Sequence, residues 1–350
     1  MFLERYRKLL EPEGVSCLPI IDYDKCEGCK RCYKICAFGA LDWDNNKPRV
    51  FYKMKFGGNR LQSTCTGCRD CVAVCPANAI TIKGSIFITK GAYRSPYLQR
   101  EVKPPQPLGP DKPYDEIKEE LTEVERLIYR RRSNRIFKKK PIPPELSARL
   151  IEAARFAPSA GNCQPIRFIV VDDPAIIDEI RKGVMPLLDM LQRWYINGNF
   201  IQRFLLRIYA FFNMGQIDIR PMYAANWLAD KQSPADIFHN APCLIIVLGD
   251  VRGVGKYLLD CGIAAEHIIL TAHALGLGTC YVSFIEPLNL LPKLKKKLGI
   301  AYPYKVVTSI ALGYPKVAQD KEVAREVTPL IRLGQDSKPD ELEDESEDSL

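Results

Sequence analysis

Histidine, tryptophan and methionine are scarce in this 350-residue chain, at three, three and six. His239, His267 and His273 show no arrangement of nucleophile, base and orienting partner, which argues against imidazole-centred catalysis. His267 and His273 fall in a long apolar segment and read as packed core residues. No glycine-rich dinucleotide fingerprint follows a strand-like run, since Gly253-x-Gly255 is too short to count. No N-terminal stretch has the basic, apolar, small-residue order of a secretory leader. The most apolar long segment, Phe200 to Phe212, is broken by Arg203 and Arg207 and is too short to span a bilayer. The expectation is a soluble protein that stays in the cytoplasm, with neither membrane nor nucleic acid among its partners.

What the chain does have is enough apolar character, 47% hydrophobic against 26% charged, for more than one packed domain. Its net charge of +8 is unevenly placed. From Asp336 to Leu350 there are eight acids and one lysine, so the tail carries −7 and leaves about +15 on the rest. Two leucines among these acids and serines cannot support folding of the tail by itself.

Cysteine is abundant, with thirteen in all. Eight lie between Cys26 and Cys75 in two regular groups, while Cys17, Cys163, Cys243, Cys261 and Cys280 are scattered. In a long chain without a leader, this pattern favours metal binding over a disulfide framework. The groups form an internal repeat: Cys26, Cys29, Cys32 and Cys36 recur 39 positions later as Cys65, Cys68, Cys71 and Cys75. Their flanks repeat too, Ile35-Cys36-Ala37 matching Val74-Cys75-Pro76. Two copies of one small unit therefore build a first domain, residues 1–91.

Residues 92–115 are proline-rich and read as a semi-rigid linker. A second domain, 116–333, follows, and the acidic tail occupies 334–350. In the second domain Leu121, Val124, Leu127 and Ile128 make one helical apolar face, ending in Arg130-Arg131-Arg132. Pro144 opens another helix, continued by Leu146, Leu150, Ala153 and Ala154. Ile166 to Val171, Cys243 to Leu248 and Lys305 to Leu312 read as buried strands. Tyr257 to Leu275 is a long apolar helix stopped at Gly276, and 175–240 reads as helices with irregular connections.

Each cysteine group has the form C-x2-C-x2-C-x3-C, and over about 60 residues the chain resembles bacterial-type two-cluster ferredoxins. That resemblance implies that Cys26, Cys29, Cys32 and Cys75 hold one [4Fe–4S] cluster, and Cys65, Cys68, Cys71 and Cys36 the second. Pro76 follows the second group as in the family, whereas Ala37 replaces proline after the first. Trp43 to Arg60 makes the interval long and reads as an extra hairpin. The competing assignment is structural zinc, which takes four thiolates in a tetrahedron, commonly from two separated C-x2-C pairs.

Over about residues 122–332 the chain resembles the nitroreductase family of FMN enzymes, through four stretches. In Arg131-Arg132-Ser133-Asn134-Arg135, forked guanidinium groups and a hydroxyl suit a phosphate. The resemblance assigns Arg131 and Ser133 to the phosphate and ribityl end and Arg135 to the flavin pyrimidine, with Arg132 also among the cofactor-binding residues. In Ala157 to Pro165, it places Pro158, Ser159, Asn162 and Gln164 around the flavin, amides suiting the ring's donor and acceptor edge. Cys163 is read as structural. In Gly276 to Phe284, Tyr281, Val282, Ser283 and Phe284 match residues passing the flavin's N5 edge, where a Ser283 hydroxyl would favour the one-electron-reduced flavin. In Ala311-Leu312-Gly313-Tyr314-Pro315, Gly313 ends the core sheet. Beyond it Arg325 best matches a basic residue returning to the phosphate, with Lys316 and Lys321 as further candidates.

The fold expected is α+β: a ferredoxin-like two-cluster module followed by a nitroreductase-like α/β sandwich. The implied cofactors are FMN and two [4Fe–4S] clusters, and no side chain is assigned as a catalytic residue. The implied path runs from a ferredoxin-type donor through the clusters to FMN and then to a small electron-poor molecule such as a nitroaromatic, quinone, enone or halogenated ring. Alternatives are the reverse flow, from a metabolite to ferredoxin, and a non-enzymatic electron-transfer hub or redox sensor. The family resemblance also implies a homodimer with FMN at its interface. The segment Met185 to Trp227 reads as core or dimer packing, with a substrate lid or a membrane-surface helix as the other readings.

Overall fold

The computed structural model describes residues 13–15, 17–55, 61–83, 87–90, 102–103, 105, 114–197, 199, 201–202, 204–205, 208, 236–252, 256–317, 321–322 and 324–326. The acidic tail, and most of 198–227 in the segment Met185 to Trp227 for which a lid was considered, lie outside these.

The first unit is built from short strands and two one-turn helices. β1 (Glu13–Val15) pairs with β8 (Phe87–Lys90), and β2 (Leu18–Ile21) pairs with β7 (Ile80–Lys83), both antiparallel. Between them lie α1 (Arg31–Ile35) and α2 (Asp70–Ala73). The repeat seen in the cysteines is also a repeat of backbone shape. Gly28 and Gly67 (φ 67° and 70°), Lys30 and Arg69 (64° and 60°), and Gly39 and Asn78 (58° and 49°) are all left-handed. Each pair is 39 positions apart. Such angles are costly for a side-chain-bearing residue and persist where the surroundings demand them. The interval between the groups holds two hairpins, where one was expected. β3 (Leu41–Asp44) pairs with β4 (Lys47–Val50) across Asn45-Asn46, whose positive φ values of 45° and 60° suit a two-residue hairpin turn. β5 (Tyr52–Lys55) then pairs with β6 (Leu61–Ser63).

The linker is not wholly an extended spacer. β9 (Val102–Lys103) pairs antiparallel with β14 (Arg325–Glu326), and α3 (Tyr114–Ile117) begins two residues before the expected domain start. α4 (Glu123–Arg130) opens with a reciprocal capping box: Glu125 N donates to Thr122 Oγ1, and Thr122 N donates to Glu125 Oε2. Its expected apolar face is only partly covered, since Val124 and Ile128 are exposed. α5 (Pro144–Arg155) has proline in its first turn and buries Leu150 and Ala154.

The core of the second unit is a four-stranded antiparallel sheet, in the order β10 (Ile166–Val171), β11 (Cys243–Asp250), β13 (Tyr304–Gly313), β12 (Gly278–Val282). Alternation along β11 explains why it reads as an unbroken apolar run. Leu244, Ile246 and Leu248 pack on one face with Ile177, Ile180, Val184 and Leu188 of α6 (Pro174–Asn197). Ile245 and Val247 pack on the other with α5 and with Ala264, Ala265 and Ile268 of α7 (Tyr257–Ala274). Both faces are covered, so period two disappears from the hydrophobicity while persisting in the geometry. The result is a helix–sheet–helix sandwich. His267 and His273 are half-buried on α7, and His267 Nδ1 lies 3.2 Å from the Ala153 carbonyl oxygen of α5.

The arginine stretch runs beside β12. Asn134 N donates to Thr279 O at 2.8 Å, and a Cβ on Gly278 would stand 2.8 Å from the Asn134 side chain. Gly278→Ala is therefore expected to lower the unfolding free energy by about 1–3 kcal/mol through overpacking; an unchanged denaturant midpoint would contradict this close approach.

Candidate functional site

The cysteines fall into two hollows. Cys26, Cys29, Cys32 and Cys75 line one, together with Trp43 and Pro48. Cys36, Cys65, Cys68 and Cys71 line the other, with Phe38 and Asp70. Each hollow thus takes three cysteines from one half of the repeat and one from the other. Among the described residues no three His, Cys, Asp or Glu groups are gathered tightly enough to hold a single metal ion.

Backbone donors are aimed at the sulfurs. Ala40 N donates to Cys36 Sγ and Ala79 N to Cys75 Sγ, each at 3.2 Å and again 39 positions apart, and Gly67 N donates to Cys65 Sγ at 3.5 Å. Burial pushes the Cys32 thiol up to about 11 and Cys68 to about 12, and it also raises Cys36 and Cys71. Without a bound cation these buried sulfurs stay protonated, and iron supplies the positive charge that makes thiolates of them. The cavities, the donors and the ligand type therefore fit iron–sulfur clusters.

Cys17, set aside in the sequence as scattered, belongs to this neighbourhood. It is buried and hydrogen-bonded to Cys65, and a Cβ on Gly67 would stand 2.7 Å from its Sγ. Its place just before β2 was the available signal, because β2 pairs with the strand that follows the second group.

The arginine stretch meets the second hollow. Arg132 Nη2 donates to Cys68 O at 2.6 Å and to Asp70 Oδ1 at 3.2 Å, while Arg135 Nη1 donates to Asp70 Oδ2 at 2.9 Å. The Arg132 and Asp70 side chains are only 3% and 4% exposed. The other Arg132 terminal nitrogen, Nη1, is buried with no hydrogen-bond partner. Burial lowers the Arg132 pKa, with Arg325 and Arg135 adding to the effect and Asp70 opposing it. Arg325 is lowered by burial and then by the positive charge of Arg131 and Arg69. Mutually repelling guanidinium groups with a buried, unpartnered N–H make a receptor for an anion such as a phosphate.

The four expected stretches are brought together unevenly. Ser133 forms a parallel bridge with Thr279, next to Cys280. Lys138 N donates to Tyr314 O, and Lys316 N donates to Ile136 O, so the first and fourth stretches also lie side by side. Val282 is buried, Phe284 half-buried, and Tyr281 and Ser283 exposed. Gly313 has a packing reason to be glycine, since a Cβ there would stand 2.8 Å from the Phe137 ring. The Lys316 side chain is exposed. Lys321 is corrected as a phosphate candidate, because its Nζ is bound to Cys75 O and Asn78 Oδ1 of the ferredoxin unit.

The second stretch stands apart from the arginines. Pro158, Asn162 and Gln164 are exposed, and Gly161, Asn162 and Gln164 are left-handed, with φ of 56°, 54° and 49°. Gln164 N donates to Ser159 Oγ at 3.0 Å, and Gln164 Nε2 donates to Asn162 Oδ1 at 3.1 Å, which holds the loop in shape. Its ties to other elements run to α7, through Ala160 N and Asp260 Oδ1, and to β11, through Asp250 N and Pro165 O.

Comparison with known proteins follows the same division. The Nitroreductase family model matches residues 128–314, and a 4Fe-4S dicluster domain matches residues 25–79. A protein of Archaeoglobus fulgidus assigned as an NADH dehydrogenase/NAD(P)H nitroreductase is 27% identical over 205 residues, covering 57% of this chain and 90% of its own. Iodotyrosine deiodinase 1 of Rattus norvegicus is 27% identical over 213 residues, covering 58% and 66%. Among solved structures, an FMN-bound nitroreductase of Desulfitobacterium hafniense is 25% identical, covers 60% of this chain and 99% of its own, and has a TM-score of 0.44. The chain belongs to the nitroreductase family. More particularly, it is an FMN-dependent oxidoreductase that carries a ferredoxin-type 4Fe–4S domain ahead of its flavin domain.

Beside Arg135 lies His239, which sequence reasoning left without a role. It is buried, its Nδ1 has no partner, and burial followed by the Arg135 charge lowers its pKa from the ordinary 6.5 to about 3. The unfolded chain then takes up a proton that the folded chain refuses, so stability is full above about pH 6.5 and falls as pH drops towards 3. Between pH 7 and 5 this amounts to about 2 kcal/mol. His239→Asn, which tolerates the left-handed backbone, is expected to remove that portion of the slope in chemical denaturation followed across pH.

Proposed function

We propose that this protein reduces a small electron-poor organic molecule with electrons drawn from a ferredoxin-type donor through two [4Fe–4S] clusters to FMN. The observation that carries the reading is the pair of cysteine-lined hollows, one of them joined directly to the flavin domain's arginine stretch. When bound, FMN supplies the exchange between single electrons and electron pairs that separates cluster chemistry from organic reduction.

The chain's own residues supply binding and orientation. Arg131, Arg132, Ser133 and Arg325 hold the phosphate, and the buried, unpartnered Arg132 Nη1 is a donor available to it. Arg135 sets positive charge at the pyrimidine end, and Tyr281 to Phe284 border the reactive edge. Cys26, Cys29, Cys32 and Cys75 ligate one cluster, and Cys36, Cys65, Cys68 and Cys71 the other. The exposed loop of Pro158, Ser159, Asn162 and Gln164 completes the flavin site of a second copy in a homodimer. Exposed Val124 and Ile128 on α4, and Leu258 and Leu259 on α7, offer apolar surface for that pairing. Among the described residues no helix is long and apolar enough to cross a membrane.

Nitroaromatics, quinones, enones and halogenated rings are the substrate classes proposed; the deiodinase relative supports the last. The name of the archaeal relative favours a second reading, in which NAD(P)H reduces the flavin and the clusters carry electrons outward. Anaerobic bleaching of the flavin separates the two: fast bleaching by reduced ferredoxin alone supports the first reading, and fast bleaching by NADH or NADPH supports the second. Arg131→Ala and Arg325→Ala are each expected to weaken FMN retention by about 10- to 100-fold, measured by fluorescence titration, with the iron content of the protein unchanged.

A further inference from the structure

We infer that Asp70 is the residue that couples the two cofactor domains, making the quartet Cys36, Cys65, Cys68 and Cys71 the flavin-proximal centre and Cys26, Cys29, Cys32 and Cys75 the outward one. This rests on the reading that clusters and flavin exchange electrons, and adds the order of the centres and the group that sets their contact.

Asp70 sits between two cysteines of the second quartet, Cys68 and Cys71, so its backbone is part of the ligand loop. Its two carboxylate oxygens are divided between two arginines of the flavin domain, Oδ1 taking Arg132 and Oδ2 taking Arg135. Arg132 also binds the carbonyl oxygen of Cys68 itself, at 2.6 Å. Packing repeats the message: Phe38 and Cys68 lie in the apolar cluster that includes Phe137 and Cys280 of the flavin domain. The Arg135 guanidinium stands 5.4 Å from the centroid of the Phe38 ring. A single carboxylate thus fixes the distance between the second quartet and the stretch expected to hold the flavin. Tunnelling rates fall steeply with distance, and direct hydrogen bonds between the two units keep the path short.

The first quartet faces the other way. Cys29 is exposed, as are Lys30, Arg31, Tyr33 and Lys34 beside it. One flavin-domain side chain does reach a member of this quartet, Lys321 at the Cys75 carbonyl. It comes from the segment beyond β13 rather than from the arginine stretch.

For each event in the proposed direction, a low-potential one-electron donor gives one electron at the Cys29 face, one passes between centres, and one enters the flavin. Two events with two protons from solvent complete the flavin's reduction. Asp70 neither gives nor takes an electron and is a positioning residue.

The test uses the full chain loaded with iron, sulfide and FMN, mixed rapidly with reduced ferredoxin. Asp70→Asn keeps the shape of the side chain and removes its charge. The expected result is unchanged iron and FMN content and cluster bleaching at the native rate, with flavin bleaching slowed at least tenfold. Flavin bleaching at the native rate would overturn the inference. Should Asp70→Asn fail to hold its iron, Cys29→Ala decides the matter at the opposite end. It is expected to lose uptake from ferredoxin, while its remaining cluster, reduced by dithionite, still discharges through the flavin into added benzoquinone at the native rate. Loss of that discharge would make the outward centre the flavin's neighbour and overturn the assignment. If the native protein itself shows no exchange between clusters and flavin, the functional reading fails first, and the inference with it.

Discussion

The architecture turns on one buried carboxylate. Asp70, 3% exposed, neutralises parts of two guanidinium groups at the joint between a metal-binding unit and a flavin domain. Buried charges are costly to desolvate and hold together only with good geometry and satisfied hydrogen bonds; removing one partner of such a pair typically costs about 3–5 kcal/mol. The arrangement is therefore a poor source of net stability and a strong source of specificity. An apolar joint of the same area would tolerate sliding, whereas a carboxylate divided between two forks admits one register.

Positive charge left over at the joint explains the rest of the site. One carboxylate faces Arg132 and Arg135; burial and then the charge of Arg325 lower the Arg132 pKa, and burial and then the charges of Arg131 and Arg69 lower that of Arg325. In the proposed function, an anionic cofactor meets that excess. The neutral, buried His239 fits the same field, because a second cation beside Arg135 would add repulsion without a partner.

Much of the scaffold was legible because it is periodic or punctuated. Ile166 to Val171 is a strand with the expected bounds, and the helix from Tyr257 ends one residue short of the expected Leu275. The cysteine spacing carried the metal-binding unit, since ligand geometry leaves its mark on short intervals. What escaped depends on long separations. Asp70 is 62 and 65 positions from its two arginines, and Lys321 is 246 from the Cys75 carbonyl it binds, intervals that leave no pattern along a chain. The pairing of Val102–Lys103 with Arg325–Glu326 was hidden likewise, inside a segment whose prolines point to a spacer. Val124 and Ile128 were expected to be covered and are not; an apolar stripe reports that a face is to be buried, without saying by what.

The duplicated backbone of the ferredoxin unit has a consequence of its own. A unit built from two equivalent halves has no inherent front or back, and either half would serve equally as entrance. Among the differences between the halves of the cysteine repeat, one reverses a charge: the counterpart of Asp70, 39 residues earlier, is Arg31. The acidic member is turned inward against the chain's own arginines, and the basic member is turned out to solvent. A sign reversal at a single repeated position is enough to give a symmetric fold a polarity.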